Sequence, residues 1–315
     1  MIANKEHGKF GLNYIFLFEM AINLDNLTIV IVTFFSEKVI FDCIKSIPSK
    51  IKIIIVDNSK NKNFKNKIEK KFKNVQCILS LKNLGMGGGN NLGLKYVKTD
   101  YAFIINPDVR FEKDTIQKLI QSSKKIKSFG IISPLINSTK NPNYKLSDNN
   151  FFKNRKTKPF KVKSVDGFAM IFNLKKLNKL KSFNDLNYFD ENIFLYLEND
   201  DLCKRVIDSG ENIYVIPESR IIHLGASAVN KKYFEQIELS RNWHWNWSKF
   251  YFNKKHNGFF IAILHCLPSF LSAIIKYLFF SILLNKKKKI YLFRALGFLN
   301  AFLGNKSYYR PKIKN

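Results

Sequence analysis

The alternation of buried strands with helices is the feature that most constrains the fold of this chain. Residues 28–34 (TIVIVTF) form a mostly β-branched run typical of a strand buried on both faces, and residues 37–47 follow with helical spacing. Further strands are predicted over 51–57, 75–80 and 101–106, with helices over 61–73, 91–97 and 112–127. Because such elements recur at about thirty-residue intervals, we predict a Rossmann-like α/β fold with a mostly parallel sheet flanked by helices.

The second half of the chain is predicted to be less regular. Residues 137–163 are rich in Asn, Lys, Ser and Pro and indicate a connection or inserted loop. Beyond it we expect order at 165–172, a helix after Glu198, strands over 212–216 and 220–223, and a long helix over 231–252. The predicted regions are a poorly ordered lead-in over 1–26, a catalytic domain over 27–257 and a helical tail over 258–315.

The charge of the chain favours anionic partners but does not choose among them. It has 53 Lys and Arg against 24 Asp and Glu, a net charge of +29. Part of this excess fits a codon bias toward A and T, since Asn, Ile and Phe are also abundant. Four scattered cysteines without metal-binding spacing indicate neither a zinc module nor a disulfide framework, which fits a reducing compartment. No signal peptide is expected at the N-terminus.

Two acids are predicted to meet at one edge of the sheet. Asp57 ends the second strand and Asp108 follows the fourth, and ligands of such sheets bind at the carboxyl ends of the strands. Pro107 stops the fourth strand, so Asp108 projects into the crevice. A carboxylate there suits a divalent cation shared with a diphosphate, although a lone Asp at a turn more often caps it.

A glycine-rich stretch over 83–93 (NLGMGGGNNLG) is predicted to be a turn before a helix. It fails as a dinucleotide fingerprint because Asn90 stands where the third glycine belongs, and it lacks the Lys-Ser/Thr of a P-loop. The stretch therefore indicates either a close backbone approach to an anion or a flexible turn.

Acids cluster at Glu198-Asn-Asp-Asp201, directly after an aromatic run. Such a cluster suits a general base that deprotonates a hydroxyl, although a single acid at a helix start is usually a cap. His223 ends a predicted strand and is a candidate for metal or phosphate contact, while a lone His is more often structural. The tryptophans over 243–247 are expected to pack.

These segments, in this order, resemble glycosyltransferase family 2, especially its bacterial rhamnosyltransferase-like branch, over about residues 28–258. The resemblance rests on the segments 30–33, 56–59, 83–85 with 89–93, 106–108, 166–167 and 194–205, and on His223. It implies a GT-A-type fold. The donor-binding residues that it implies are Thr33, Asp57, Asn83, Gly85, Asn106 and Asp108. Asp166 and Gly167 would lie on the acceptor side.

The resemblance also implies a mechanism. Mg²⁺ or Mn²⁺ would bind at Asp108 and His223, with Asn106 in place of the first acid of the DxD motif. The base would be Glu198, with Asp200 and Asp201 as competitors, because Asn199 replaces the usual second acid. Transfer would be a single displacement with inversion. The branch suggests dTDP-rhamnose as donor, with UDP-sugars next, and a cell-surface polysaccharide or lipid-linked glycan as acceptor.

The tail is expected to associate with a membrane. Residues 259–284 are strongly apolar but interrupted by His265, Pro268 and Lys276, and a tetralysine at 286–289 precedes a second apolar and basic stretch. An in-plane anchor on the anionic inner face of the cell membrane is favoured, with a true span and a soluble helical cap as alternatives. The expected location is cytoplasmic and peripheral.

Two other functions compete with glycosyl transfer. A nucleotidyltransferase also uses an α/β sheet and a carboxylate-bound metal, but its glycine-rich, basic signature near the first strand is missing. The charge of +29 alone would suggest nucleic-acid binding. No recognisable nucleic-acid-binding module supports it, and the acids near Glu198 would repel phosphate, so no nucleic-acid partner is expected.

Overall fold

A computed structural model describes residues 21–138, 142–146, 157–225 and 233–311. The predicted lead-in up to residue 20, and residues 139–141 and 147–156 of the predicted connection, therefore lie outside the described part. The first half consists of β1 (Leu27–Thr33), α1 (Glu37–Lys45), β2 (Lys52–Asp57), α2 (Lys62–Lys71), β3 (Val75–Leu79), α3 (Gly85–Leu94) and β4 (Tyr101–Ile105).

The second half contains more and shorter strands. It consists of β5 (Val109–Phe111), α4 (Thr115–Ser123), β6 (Ile131–Ile136), β7 (Tyr144–Lys145), β8 (Phe160–Lys161), β9 (Ser164–Val165), β10 (Ala169–Asn173), α5 (Leu174–Leu177), a 3₁₀ turn (Lys181–Leu186), α6 (Glu198–Asp208), β11 (Ile213–His223), α7 (Phe234–Asn257), α8 (Phe259–Ile282) and α9 (Lys288–Phe302).

Within the described residues, nine strands form one central sheet. Its order is β3-β2-β1-β4-β10-β6-β11-β5, with β8 beside β11. The pairings among β3, β2, β1 and β4 are parallel, whereas β10 runs antiparallel to both β4 and β6. The predicted α/β fold is confirmed. The first half of the chain forms the parallel part of the sheet. The second half adds a mixed part, in which antiparallel neighbours need no helical crossover.

Burial of the sheet on both faces follows from the alternation of side chains along β1. Ile29 and Ile31 belong to the core on one face, and Val30 belongs to the core on the other. The register pairs Thr33 of β1 with Asp57 of β2. Both strands therefore end at the same edge, as the sequence predicted.

Two predicted elements differ from the observed ones. The glycine-rich stretch is itself the helix α3, beginning at Gly85 rather than near residue 91. Its glycines allow close packing on β1: a Cβ at Gly93 would lie 2.5 Å from Val30 Cγ1. The two strands predicted over 212–223 form a single strand, β11, with an irregularity in register between Ile216 and Arg220.

A third core cluster joins α7 to the tail. Trp243, Trp247 and Phe250 of α7 pack with Cys266 of α8 and Phe298 of α9. In the part of the chain that the structure describes, α8 is the one helix long and apolar enough to cross a membrane. Its mean hydropathy is 1.9, and 17% of its apolar window is buried within the protein.

Candidate active site

A cavity of about 660 Å³ lies at the carboxyl ends of the parallel strands. Of the residues predicted from the sequence, it is lined by Thr33, Asn83, Gly85, Asn106, Asp108, Asp166, Gly167, Glu198, Asp200 and His223. Asp57 and Asp201 do not line it. The structure thus gathers residues from six separate segments around one space.

Asp57 lies beneath the cavity rather than in its wall. Its carboxylate is buried, and Oδ1 accepts hydrogen bonds from Thr33 Oγ1 at 3.0 Å and Ser59 Oγ at 2.8 Å. Its Oδ2 accepts from the backbone amide of Asn61, which caps α2. Asp57 therefore fixes Thr33 and the start of α2, and it is not itself presented to a ligand in the cavity.

Asn58, which the sequence analysis did not single out, holds the loop before α3. Its Nδ2 donates to the Gly85 carbonyl at 2.9 Å, and its Oδ1 accepts from the Leu84 amide at 3.3 Å. Asn83 Oδ1 accepts from the Gly85 amide at 3.1 Å. Gly85 has a φ of 76°, and a Cβ there would lie 2.1 Å from the Phe194 carbonyl, so only glycine fits this turn.

Asp108 and His223 face each other in the cavity. The pairing of β5 with β11 places Val109 opposite His223, and His223 Nε2 lies 3.3 Å from Asp108 Oδ1. The Phe168 ring stacks on the imidazole with ring centroids 4.0 Å apart, which fixes its orientation. The structure thus brings together the two side chains that the sequence analysis assigned to one site.

This pair fits a divalent cation only in part. A carboxylate oxygen and an imidazole nitrogen are suitable ligands for Mn²⁺. No cluster of three or more His, Cys, Asp or Glu side chains that would hold a metal occurs among the described residues. The donor set therefore suits a cation whose remaining ligands come from a bound diphosphate and water, and not a cation held by protein alone.

Three buried oxygen atoms in the cavity wall have no hydrogen-bond partner. They are Oδ1 of Asn90, Oδ1 of Asn106 and Oε2 of Glu198. Across the described residues, only Arg110 Nε shares this condition. Buried polar atoms are normally paired, and an unpaired one costs free energy. Three unpaired acceptors in one cavity indicate a ligand that brings hydrogen-bond donors, such as hydroxyl groups.

Glu198 is the first residue of α6 and follows a strained turn. Tyr196 and Leu197, neither of them glycine, have φ angles of 68° and 66°. Burial raises the pKa of the Glu198 carboxyl to about 7, with a smaller contribution from Asp200. A carboxyl with a pKa near neutrality is suited to proton transfer at physiological pH.

The neighbours of Glu198 have different surroundings. Asp200 is ion-paired with Lys145 at 2.7 Å, and burial together with Asp200 raises the pKa of Asp166. Asn199 Nδ2 donates to the Val165 carbonyl, and its Cβ would lie 3.3 Å from a Cβ at Gly167. Asn199 and Gly167 therefore join α6 to the strand β9.

Asp201, predicted as a competing base, points away from the cavity. It is fully buried and accepts from Arg205 Nε at 2.9 Å and His256 Nε2 at 2.8 Å, while Lys255 Nζ lies 2.7 Å from it. Because Asp201 does not line the cavity, an acceptor bound there cannot reach its carboxylate. The structure assigns Asp201 to the junction of α6 with the end of α7.

Comparison with known proteins agrees with this geometry. Residues 28–181 match the family model described as glycosyl transferase family 2. The chain carries a glycosyltransferase family 2 domain. It is 26% identical over 206 residues to the low-salt glycan biosynthesis hexosyltransferase Agl10 of Haloferax volcanii, covering 60% of this chain and 64% of the relative. It is 25% identical over 196 residues to the rhamnosyltransferase WbbL of Escherichia coli K12, covering 51% and 67%.

The fold of the domain has a solved counterpart. The crystal structure of GalNAc-T7 with UDP, GalNAc and Mn²⁺ superposes with a TM-score of 0.50 at 15% sequence identity, covering 70% of this chain and 51% of that one. This likeness supports the predicted GT-A-type fold. The family match ends at residue 181, so Glu198, His223 and α7 lie beyond it. Their connection to the glycosyltransferase domain is the shared cavity.

The α7 wall of the cavity was missed by sequence reasoning. The tryptophans at 243 and 247 are buried as predicted, but Trp245 is 47% exposed and lines the cavity. Arg241 also lines it, and its Nε donates to the hydroxyl of Tyr196 at 2.8 Å. A helical tryptophan stretch gives no signal of which indole faces a cavity, so these residues became recognisable only in the folded glycosyltransferase domain.

Proposed function

We propose that this protein is an inverting, metal-dependent glycosyltransferase that moves a hexosyl group from a nucleotide-sugar to a hydroxyl of a membrane-associated glycan. The observation that carries the proposal is the set of three unpaired acceptor oxygens, on Asn90, Asn106 and Glu198, beside the Asp108–His223 pair. Sugar hydroxyls would supply the missing donors, and a diphosphate with its cation suits the acid–imidazole pair. The family domain and the names of the relatives support the same reaction class.

The donor would bind along the edge that β1 and α3 form. Thr33, Asn58, Asn83 and Gly85 line that side, with Asp57 fixing Thr33 from below and Asn58 holding Gly85. Asp108 and His223 would hold Mg²⁺ or Mn²⁺, which when bound stabilises negative charge on the departing nucleoside diphosphate. We propose dTDP-rhamnose as the first donor to test, because one relative is a rhamnosyltransferase, with UDP-sugars next.

Glu198 is the proposed general base. Glu198 lines the cavity and its buried Oε2 has no hydrogen-bond partner, whereas Asp200 is ion-paired with Lys145 and Asp201 is enclosed by basic groups. The carboxylate would accept the proton of the acceptor hydroxyl as that oxygen attacks the anomeric carbon. The proton ends on Glu198 and the leaving group departs as a nucleoside diphosphate, so no covalent sugar-enzyme intermediate is needed.

The helical tail would place the reaction at a membrane. We propose that the core over 27–257 is catalytic and that residues 258–315 lie in the plane of the anionic inner face of the cell membrane. The exposed apolar face of α8 and the lysines at 286–289 support this location. In flotation with vesicles, the protein should rise with phosphatidylglycerol-containing vesicles and less with neutral ones. Equal recovery with both would argue against an electrostatic contribution.

The function is tested by incubating the protein with individual nucleotide-sugars and Mn²⁺ and measuring release of nucleoside diphosphate. Hydrolysis of one donor, stopped by chelation and absent in Asp108→Ala, is the expected result. Release of pyrophosphate instead would indicate a nucleotidyltransferase. If no nucleotide or nucleotide-sugar bound in calorimetry, with or without Mn²⁺, the proposed function would be wrong.

A further inference from the structure

One wall of the cavity contains a cation and aromatic rings that the proposed donor site does not use. Arg241, Trp245 and Tyr196 line the same cavity as Asp108 and Glu198. The Tyr196 and Trp245 rings meet edge to face with centroids 5.4 Å apart. Arg241 Nε donates to the Tyr196 hydroxyl, so these two side chains hold each other in position beside the Trp245 ring.

Arg241 lines the cavity, and its ion pair with Glu238 is long. The Arg241 side chain is 39% exposed, and the carboxylate nearest to it, on Glu238, is 4.0 Å away. The other permanent cation among the described residues of the wall, Lys145, is already paired with Asp200 at 2.7 Å. A guanidinium in a cavity wall is suited to bind phosphate through paired hydrogen bonds.

The position of this wall assigns it to the acceptor. Tyr196 is two residues before Glu198, and α7 holds the connecting segment through Ser248 Oγ, which donates to the Leu195 carbonyl at 2.8 Å. A base acts on the acceptor hydroxyl, so side chains fixed to the segment that presents the base lie on the acceptor side. The donor elements β1 and α3 contribute other lining residues, among them Thr33 and Gly85.

The start of α7, which lines the cavity, is ion-paired with the tetralysine that follows the apolar helix α8. Phe234 and Ile237, at the start of α7, line the cavity, and Glu235 between them pairs with Lys289 at 2.9 Å. Lys289 belongs to the tetralysine, which directly follows the exposed apolar end of α8. In that end Ile282 and Leu284 are 82% and 83% exposed.

Resting on the proposed function, we infer that Arg241, Tyr196 and Trp245 form the subsite for an acceptor sugar linked through phosphate to a membrane lipid. The phosphate would bind the Arg241 guanidinium, and the apolar face of the sugar would stack on the Trp245 indole. The lipid chain would leave the cavity past Phe234 toward the end of α8. The acceptor is thereby specified as a phosphate-linked glycolipid rather than a free oligosaccharide.

The three tryptophans allow a direct binding experiment. Trp243 and Trp247 are 1% and 2% exposed, so Trp245 is the one that a cavity ligand can reach. With dTDP or UDP and Mn²⁺ at saturation, geranyl diphosphate and a geranyl diphosphate-linked monosaccharide are titrated while tryptophan fluorescence is recorded. Saturable quenching is expected for wild type and is expected to disappear in Trp245→Phe.

Charge variants then show whether Arg241 binds the phosphate of the acceptor or the diphosphate of the nucleotide. Arg241→Gln should weaken binding of geranyl diphosphate by about tenfold or more, while the nucleotide dissociation constant changes by less than about twofold. Lys249→Gln, on the same helix but outside the cavity lining, is the matched control and should leave both unchanged. Circular dichroism and melting temperature check that each variant is folded.

Three results would overturn the inference. If Arg241→Gln weakened the nucleotide and not geranyl diphosphate, Arg241 would bind the donor's diphosphate. If geranyl diphosphate caused no saturable quenching and did not bind while the nucleotide bound normally, there would be no phosphate subsite on this wall. If geraniol bound as tightly as geranyl diphosphate, only the lipid would be recognised. Failure of nucleotide binding itself would instead count against the proposed function.

Discussion

The Nε2 atom of His223 lies 3.3 Å from Oδ1 of Asp108, because the pairing of β11 with β5 sets His223 opposite Val109. One partner comes from the segment that matches the family model, and the other lies beyond it. The contact therefore joins the recognisable donor half of the domain to the half that supplies the proposed base.

Replacing Asp108 with Ala is expected to remove metal-dependent nucleotide binding while leaving the fold intact. The carboxylate lines the cavity and contacts His223, so its loss removes the proposed cation ligand and little packing. Calorimetry with dTDP or UDP should show that Mn²⁺ no longer improves affinity. Asp114→Ala, which removes an exposed partner of Lys118, is the control and should bind like wild type. Unchanged Mn²⁺-dependent affinity in Asp108→Ala would exclude the metal role.

Replacing Glu198 with Gln is expected to lower transfer by a factor of about 10² to 10⁴ and to change nucleotide affinity little. The base acts on the acceptor hydroxyl, so donor binding does not depend on it. Transfer and nucleotide binding should be measured on the same preparation, with a membrane extract as the source of acceptor. Full activity in Glu198→Gln, with loss in Asp200→Asn, would move the base to Asp200.

The stability of the protein should depend on pH through Glu198. Its pKa is raised to about 7 in the folded state from the ordinary value of 4.5, so the folded protein holds this proton more tightly than the unfolded chain does. The stabilisation is complete below pH 4.5 and is lost as pH rises through 7. Wild type should therefore lose up to about 3 kcal/mol relative to Glu198→Gln between pH 4.5 and 8.

Thermal unfolding of the two proteins from pH 5 to pH 8 checks this expectation. The difference in melting temperature should grow with pH in favour of Glu198→Gln and level off above about pH 7. A difference that stayed constant over this range would mean that the carboxyl is not desolvated in the free protein.

Asp201→Asn should destabilise the fold, in contrast to the neighbouring acids. Removing its charge leaves Arg205, Lys255 and His256 without their shared buried partner, which costs roughly 3 to 5 kcal/mol. Asp208→Asn on the same helix removes only an exposed pair with Lys204 and should change stability by less than about 1 kcal/mol. Urea unfolding measures both. Equal stability of the two variants would contradict the structural role of Asp201.

The sequence predicted the first half of the fold closely because its signals are local. The β-branched runs placed β1 and β2 within one residue of their observed bounds, and strand ends at Asp108 and His223 were enough to bring those residues to one edge. The first part of α3, over residues 85–90, was not predicted because glycine disfavours isolated helices. What stabilises α3 is close packing on β1, which depends on a neighbour distant in sequence.

The candidate site was predictable where position follows from the sheet and unpredictable where it depends on packing between helices. Glu198 and Asp201 are chemically alike in the sequence, yet one faces the cavity and the other faces His256, 55 residues further along the chain. Arg241 and Trp245 were not predicted for the same reason. The side of α7 that faces the cavity is set by tertiary contacts with the segment over 194–197.

The helix α7 carries the cavity wall on one side and packs against α8 and α9 on the other, so it connects the cavity to the proposed membrane surface. At Gly297 of α9 a Cβ would lie 2.2 Å from the Trp243 carbonyl, so the two helices have no room to move independently. If a bilayer shifts this helix and thereby changes ligand affinity by some factor, ligand binding must change bilayer affinity by the same factor. A filled cavity and an empty one would then partition differently between membrane and solution.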